Sequence, residues 1–307
     1  GRPGHCAMMR VLVTGASGFV GRHTVGPLLA RGFTVHAVTG SGRILPEPGV
    51  IWHRADLLAP AAVRALVETV RPSHLLHLAW YAKPGRYLTA PENLSWVAAS
   101  LGLFQAFAAR GGGRMVVAGT CLEYARSDQP CVEGHTPCQP ESVYAVAKHA
   151  LGLLAAAFCR QAGVSLGWAR LFHLFGPFEP ENRLVSTVAR ALVHGQAAAC
   201  TLGEQVRDFS HIADAGAALA ALLDSRVEGP VNIASGRPTR VADLVLTLAD
   251  LGGRRDLILL GARPTPADES PFLVADVGRL TREVGWTPAR SLEQTLEETL
   301  AWWRQLR

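Results

Sequence analysis

Lysine is nearly absent from this sequence, and so are the features that mark several large protein classes. Lys83 and Lys148 are the only lysines among 30 lysine and arginine residues. The arginines are dispersed, and a net charge of +5 carried in this way favours the binding of small anions over a nucleic-acid backbone. No uninterrupted apolar run is long enough to span a bilayer, so we predict neither a nucleic-acid nor a membrane partner.

The cysteines lack the spacing of a metal site or a redox centre. Six are present, without a Cys-x-x-Cys pair. Cys131, His135 and Cys138 form at most an incomplete zinc set because no fourth ligand stands nearby, and a polar loop is the favoured alternative. We therefore predict no metal. Free thiols without a recognisable secretory signal predict a cytoplasmic protein.

The sequence does contain a large apolar fraction, arranged as alternating strands and helices. Apolar residues make up 49% and charged residues 18%. Strands are predicted at 10–14, 33–38, 50–52, 74–79, 114–118 and 164–171, and helices at 19–31, 60–70, 92–109 and 142–162. This alternation predicts an α/β fold with a doubly wound parallel Rossmann sheet.

The pattern changes after residue 172. Helices predicted near 183–194, 212–224, 240–251 and 291–304 are separated by short turns rich in glycine and proline. We therefore divide the chain into a dinucleotide-binding domain, residues 8–172 with returning segments, and a smaller α/β lobe at 173–307 that mainly binds substrate.

A glycine-rich turn follows the first predicted strand. Glycines there permit a tight turn and close approach of the backbone, and the N-terminus of the next helix presents free N–H groups to a pyrophosphate. The spacing is Gly-x-x-Gly-x-x-Gly, and its position within a βαβ unit strengthens the assignment. We predict cofactor contacts from Gly15, Ser17, Gly18, Phe19, Val20 and Gly21.

The second predicted strand ends without the carboxylate that would select the free ribose 2′-hydroxyl of NAD. Ser41 and Arg43 stand there instead, suited to a 2′-phosphate unless Arg43 is merely solvent-exposed. We therefore predict NADP (NADPH) in preference to NAD, with NAD possible. After the third strand, Asp56 is placed either to accept from the adenine amino group or to cap a helix.

Tyr144 and Lys148 are four residues apart on a predicted helix, so their side chains share one face. A cation within about 4–6 Å can lower a tyrosine pKa by roughly 1–3 units from about 10. The pair is thus a candidate proton donor with its supporting charge. The alternative is an exposed tyrosine beside a solvated lysine.

Taken together, these motifs resemble the extended short-chain dehydrogenase/reductase family, in its NAD-dependent epimerase/dehydratase branch. Further matching segments include Asp56 with Leu57, His77-Leu78-Ala79, Thr120 with Tyr124, the run from Arg170 to Pro177, Arg207-Asp208-Phe209-Ser210-His211, and Arg263-Pro264. Asparagine is common in the family where this chain has His173, and also near position 96, where it has Trp96 with Asn93 one turn earlier.

The resemblance implies roles for individual residues. Tyr144 is the acid/base, Lys148 holds the nicotinamide ribose, and Thr120 bonds the substrate oxygen. Leu57, Leu78 and Ala79 join the cofactor site, and His173 touches the nucleotide of the substrate. Arg207 and Arg263 grip a diphosphate, unless Arg207 forms a salt bridge with Asp208. Relatives pair through helices matching 92–109 and 142–162, so we expect a homodimer.

The segment Gly119-Thr120-Cys121-Leu122-Glu123-Tyr124 bears on the reaction. Family 4,6-dehydratases carry Asp-Glu after the threonine, whereas Cys121-Leu122 cannot move those protons. The string resembles nucleotide-6-deoxysugar 4-ketoreductases, although Cys121 and Glu123 could simply pack behind the site. We therefore expect NADPH-dependent reduction of the C4 ketone of a nucleotide-activated 4-keto-6-deoxyhexose, with Tyr81 and Cys121 as further substrate contacts. The alternatives are a nucleotide-sugar 4-epimerase with tightly bound NAD and, more remotely, a non-catalytic dinucleotide-binding protein.

Overall fold

A seven-stranded parallel sheet forms the centre of the molecule. The computed structural model describes residues 9–306. Strands are numbered along the chain, and the sheet has the order β10-β6-β5-β4-β1-β2-β3. Its members are β1 (Arg10–Thr14), β2 (Thr34–Thr39), β3 (Val50–Arg54), β4 (His74–His77), β5 (Arg114–Thr120), β6 (Ser165–Leu171) and β10 (Gly229–Ile233). All neighbours are parallel, so the predicted doubly wound Rossmann sheet is confirmed.

Helices cover both faces of this sheet, since strands in a parallel sheet bury side chains on both sides. One face packs against α1 (Arg22–Ala30) and α6 (Ile212–Asp224). The other packs against α2 (Pro60–Val70), α3 (Glu92–Ala109) and α4 (Val143–Ala162). Phe104 and Phe107 of α3 are fully buried and fill the second layer.

A smaller lobe is built around β9 (Val206–His211). That strand pairs with β7 (His173–Phe175), β11 (Pro238–Arg240) and β13 (Phe272–Leu273). A two-stranded sheet joins β8 (Ala198–Ala199) to β12 (Ile258–Leu259). The lobe's core lies among α5 (Leu184–Val193), α7 (Val241–Leu251) and α9 (Leu292–Gln305), while α8 (Gly278–Arg282) contacts β10.

The lobe is not continuous in sequence. Between residues 212 and 233 the chain returns to the Rossmann half, where α6 packs against α1 and β10 pairs with β6. The two helices touch closely, since a Cβ on Gly216 would collide with the backbone of His23. The three lobe helices at 184–193, 241–251 and 292–305, and α6 at 212–224, lie within two residues of the predicted bounds.

Four predicted boundaries differ from the structure by two residues or more: β3 and β5 each extend two residues further, to Arg54 and Thr120, and two others are set by the glycine turn. The first helix starts at Arg22 rather than at 19, because residues 19–21 complete the glycine turn. The strand predicted to reach Ala79 ends at His77. Its next two amides turn away from the sheet and donate to the Thr14 hydroxyl, at 3.1 Å from Leu78 and 3.2 Å from Ala79.

One helix is apolar enough to pass a test for membrane spans, although Lys148 and Arg160 interrupt it. By length and composition, α4 could cross a membrane, with a mean hydropathy of 1.3 over its most apolar window. It packs here against α3, β5 and β6, and a core helix passes the same test. Leu153 and Leu154 of α4 and Leu94 of α3 are exposed in the single chain. The homodimer through these helices stays a prediction.

Candidate active site

The glycine turn has the shape of a dinucleotide cradle. Gly15 has φ +67°, and a Cβ there would lie 2.9 Å from the amide nitrogen of Ala79. A Cβ on Gly21 would collide with the carbonyl oxygen of Gly15. Gly18 closes the turn by donating to that same carbonyl at 3.0 Å. Only glycine fits the two outer positions, so the N-terminus of α1 stays open to a phosphate.

Arginines gather at the end of β2, where the sequence predicts a 2′-phosphate. Arg22 has its pKa lowered by burial and by the nearby charge of Arg43. The guanidinium of Arg54 lies next to Gly42. Ser41 shares a hydrogen bond with Thr39 at 3.2 Å and accepts one from the Arg43 amide at 3.3 Å. Repulsion between like charges favours an anion at this place.

The other predicted cofactor residues lie along the same edge of the sheet. Leu57 is buried after β3, whereas Asp56 is exposed and accepts from the Leu58 amide at 3.0 Å. This bond occupies one carboxylate oxygen in a local turn before α2, and the contact of Asp56 with an adenine stays a prediction. Leu78 and Ala79 follow β4 next to β1, where the direction of the strand order reverses and open sheets bind ligands.

The predicted catalytic residues line one cavity of about 230 Å³. Thr120 closes β5, Tyr144 and Lys148 lie one turn apart on α4, and the opposite wall contains Phe19 and Val20 of the glycine turn. Residues 121–123 form a single 3-10 turn capped by the Thr120 hydroxyl. The Ser142 hydroxyl accepts from the Ala145 amide at 3.1 Å and starts α4 just before the tyrosine.

Lys148 is held by the protein on two sides. Only 2% of the residue is exposed. Its Nζ donates to the Ala118 carbonyl at 2.8 Å and lies 3.8 Å from the ring centroid of Trp80. The Trp80 indole in turn donates to Asn93 at 2.8 Å. Burial lowers the pKa of Lys148 to about 7, although the charge of Glu123 opposes the shift.

Tyr144 does not have the acidic phenol that the sequence predicts. Burial and the neighbouring Tyr87 raise its pKa above the ordinary value, and the hydrogen bond with the Thr120 hydroxyl only partly offsets this. The rings of Tyr87 and Tyr144 meet edge to face at 4.8 Å. Lys148 is turned toward Ala118 and Trp80, so its charge does not produce the predicted lowering. Tyr144 therefore keeps its proton at neutral pH.

The buried carboxylate of Glu123 holds the backbone of Thr120 in place by a hydrogen bond. Glu123 is fully buried and accepts from the Thr120 amide at 2.9 Å, from the Trp168 indole at 2.9 Å and from Arg170 at 3.1 Å. Burial opposes its ionisation, but His149, Arg170 and these donors outweigh burial and lower its pKa. Glu123 is absent from the lining of the cavity. Its position therefore agrees with the alternative interpretation, in which Glu123 packs behind the site.

A second cavity of about 700 Å³ continues from the first, sharing Cys121, Tyr87 and His173 with it. Arg207 lines this cavity and pairs with Glu269 at 3.0 Å, not with Asp208 as the alternative had it. Burial raises the pKa of Cys121 to about 12, so its thiol is neutral. Burial, together with the charges of Arg207 and Arg183, lowers the pKa of His173 to about 3.

Sequence comparison identifies a known family to which this chain is similar. The profile of the NAD dependent epimerase/dehydratase family matches residues 11–234. UDP-glucuronic acid decarboxylase 1 of Xenopus tropicalis is 30% identical over 316 residues, covering 96% of this chain and 72% of the relative. GDP-6-deoxy-D-mannose reductase of Pseudomonas aeruginosa is 29% identical over 310 residues, covering 96% and 97%.

This chain belongs to the NAD dependent epimerase/dehydratase family.

Among solved structures, UDP-glucose 4-epimerase of Thermus thermophilus, in complex with NAD, superposes with a TM-score of 0.86. It is 25% identical, and the match covers 96% of this chain and 99% of that one. The predicted membership of the extended short-chain dehydrogenase/reductases and the predicted enzyme class are both confirmed. As a member of this family of NAD(P)-dependent enzymes, the chain binds a nicotinamide dinucleotide.

Two predicted substrate contacts of this epimerase/dehydratase family member do not reach either cavity. Tyr81 is absent from both linings, and Tyr87, six residues later, lines both instead. Arg263 is exposed, is absent from both linings, and its amide donates to the Cys200 carbonyl at 3.0 Å. Sequence reasoning also missed Trp80 and Arg183, which line the catalytic cavity. Neither occurs at a spacing that links it to Tyr144.

Burial of Lys148 has a consequence for stability. The unfolded chain keeps this lysine protonated up to about pH 10.5, the folded chain only up to about pH 7. The buried charge of Lys148 therefore lowers the free energy of unfolding. This loss is largest below pH 7 and decreases as the pH rises toward 10.5. We expect Lys148→Met to raise the Tm most below pH 7, with a gain that declines toward pH 10 in thermal unfolding curves.

The other lysine provides the control for this experiment. Lys83 is exposed, so Lys83→Met should leave the Tm nearly unchanged at each pH. A Lys148→Met gain that is equal at pH 6 and pH 10, or a lower Tm below pH 7, would contradict burial of the ammonium as the cause.

Proposed function

We propose that this protein is a nucleotide-sugar 4-ketoreductase, reducing the C4 ketone of a nucleotide-activated 4-keto-6-deoxyhexose with NADPH. One observation carries the proposal. Thr120 and Tyr144 share a cavity with Phe19 and Val20 of the glycine turn, so a ketone held by the two hydroxyls would lie beside a cofactor on that turn. The second cavity adjoins this point and offers room for the nucleotide part of the substrate.

The protonated state of Tyr144 supports its role as the proton donor in reduction. When bound, NADPH supplies a hydride to C4. The ketone oxygen then becomes an alkoxide and takes the phenolic proton of Tyr144, while the Thr120 hydroxyl donates a hydrogen bond to it. Solvent reprotonates the phenolate. A phenol whose raised pKa keeps it protonated is suited to this donation, whereas oxidation of a sugar hydroxyl first needs the phenolate.

The residues next to Thr120 disfavour water elimination. The neutral thiol of Cys121 and the aliphatic side chain of Leu122 both line the cavity. Neither moves protons at neutral pH as the acidic pair of a 4,6-dehydratase does. The similarity to GDP-6-deoxy-D-mannose reductase supports a reductase acting on a deoxysugar nucleotide.

The arginines at the end of β2 support NADPH over NADH. Arg22 and Arg43 lie close enough for the charge of one to lower the pKa of the other, a repulsion that a 2′-phosphate would relieve. No acid terminates β2 to receive a free 2′-hydroxyl. The second candidate function is a nucleotide-sugar 4-epimerase, which would use NAD. The similarity to the Thermus thermophilus epimerase, solved in complex with NAD, favours this candidate.

One assay separates the candidates. We expect stoichiometric loss of NADPH absorbance at 340 nm with a 4-keto-6-deoxyhexose nucleotide, and slower loss with NADH. A 4-epimerase would instead interconvert UDP-glucose and UDP-galactose without added reductant, and a decarboxylase would release CO₂ from UDP-glucuronic acid. Either result without NADPH consumption would reject the reductase. Cofactor binding with no turnover on any of these substrates would indicate the non-catalytic alternative.

A further inference from the structure

The guanidinium predicted to bind the diphosphate already has protein acceptors. Nη2 of Arg207 donates to the Glu269 carboxylate at 3.0 Å and to the Ser270 carbonyl at 2.6 Å. Nη1 donates to the Val206 carbonyl at 2.9 Å. Both hydrogens of Nη2 are therefore used, and only 7% of the residue is exposed. A phosphate cannot take the usual two-oxygen contact with Arg207 until one of these acceptors leaves.

Of these three acceptors, Glu269 alone is a side chain, and its carboxylate also accepts from the Gln205 side-chain amide at 3.1 Å. It stands on the segment between Arg263 and β13, and 26% of its side chain is exposed. The Ser270 and Val206 carbonyls, by contrast, are fixed by the backbone at the pairing of β13 with β9. A carboxylate and a phosphate both offer paired oxygens to a guanidinium, so Glu269 occupies the position that an anionic ligand needs.

The lining of the same cavity contains a polar atom without a partner among the described residues. Nδ1 of His173 is buried and, within residues 9–306, has no hydrogen-bond partner. The imidazole is neutral because burial and the charges of Arg207 and Arg183 disfavour protonation. It can therefore bond a ligand oxygen or hydroxyl without adding charge, and the attraction for an anion comes from the two arginines.

We propose that Glu269 is an internal substitute for the substrate diphosphate. A nucleoside diphosphate binds by displacing the Glu269 carboxylate from Arg207, and Glu269 thereby determines how tightly the site holds an anionic nucleotide. This inference rests on the proposed function, because it takes Arg207 as the ligand of the diphosphate.

Calorimetric titration with UDP, GDP and dTDP tests the exchange. We expect Glu269→Gln to bind the preferred nucleotide about fivefold more tightly, the size expected when a partly exposed ion pair no longer competes. Glu269→Asp, which keeps the charge but shortens the reach, should also tighten binding. Asp256→Asn removes the same charge from an exposed ion pair with Arg254, outside the linings of both cavities, and should change the Kd by less than about twofold.

The outcomes are distinct. Equal tightening in Glu269→Gln and Asp256→Asn would show a general charge effect and overturn the exchange. Unchanged or weaker nucleotide binding by folded Glu269→Gln and Glu269→Asp would show that the ion pair is a permanent structural contact. That result would also overturn the exchange. If Arg207→Ala loses binding while both Glu269 variants bind like the wild type, Arg207 binds the diphosphate but the proposed exchange with Glu269 is overturned. If no nucleoside diphosphate binds any form, the nucleotide-sugar substrate of the proposed function fails as well; if Arg207→Ala binds like the wild type, the exchange fails but the proposed function loses only the diphosphate role that the family resemblance implies for Arg207.

Discussion

Tyr144→Phe should lose about 10²–10⁴-fold in kcat for ketone reduction, the usual contribution of a well-placed proton donor. The change removes the phenolic hydroxyl and keeps the ring that packs edge to face on Tyr87. Binding of NADPH should stay within about twofold, because Lys148 and the glycine turn are untouched. Single-turnover kinetics and fluorescence titration of NADPH measure the two quantities separately.

Tyr87→Phe is the matched control for this result. It removes a phenolic hydroxyl from the same cavity, on the ring that faces Tyr144. We expect a loss much smaller than that of Tyr144→Phe. Losses of similar size in the two variants would show that the cavity is sensitive to any lost hydroxyl, and near-normal turnover of Tyr144→Phe would reject it as the proton donor.

Arg170→Leu should cause the largest loss of stability. The substitution leaves the fully buried Glu123 without its cation, and breaking such a pair from one side costs about 3–5 kcal/mol. Folded domains have unfolding free energies of only about 5–15 kcal/mol, so the variant should unfold at markedly lower urea concentration. Although burial disfavours the guanidinium, the Glu123 charge keeps the pKa of Arg170 above its ordinary value.

Two further variants identify the cause. Arg170→Leu combined with Glu123→Gln removes both charges, while the glutamine oxygen still accepts from Thr120 and Trp168. This double variant should be more stable than Arg170→Leu alone. Arg255→Leu breaks an exposed ion pair with Asp250 and should cost less than about 1 kcal/mol. If the double variant is no more stable than Arg170→Leu, the unpaired carboxylate is not the source of the loss.

The sequence was sufficient where local chemistry decides the structure. Gly15 and Gly21 mark a turn that no other residue fits, and short apolar runs such as Val11-Leu12-Val13 have one stable place, the interior of a parallel sheet. The Tyr144 and Lys148 spacing likewise brings both residues into the catalytic cavity, because helical geometry fixes which residues share a face. These features depend on neighbours within a few residues.

The sequence was insufficient where a side chain's direction or a distant partner decides. Spacing places Lys148 near Tyr144 but does not show that its ammonium turns to Ala118 and Trp80, so the predicted effect on the phenol was wrong. Tyr87 reaches Tyr144 across 57 positions of sequence, with no periodicity to connect them. The partner of Arg207 is Glu269, 62 residues later, in a segment of polar and proline residues that gives no local signal.

The return of the chain to the Rossmann half has a consequence for biosynthesis. A nascent polypeptide that has emerged only to residue 172 contains the whole glycine turn and the catalytic pair, yet β6 is then an open edge and α1 has no helix beside it. An unpaired strand edge and an uncovered apolar face are both prone to self-association. The dinucleotide half can complete its folding only after the ribosome has released Ile233, so slow translation across residues 173–233 prolongs its exposure to aggregation.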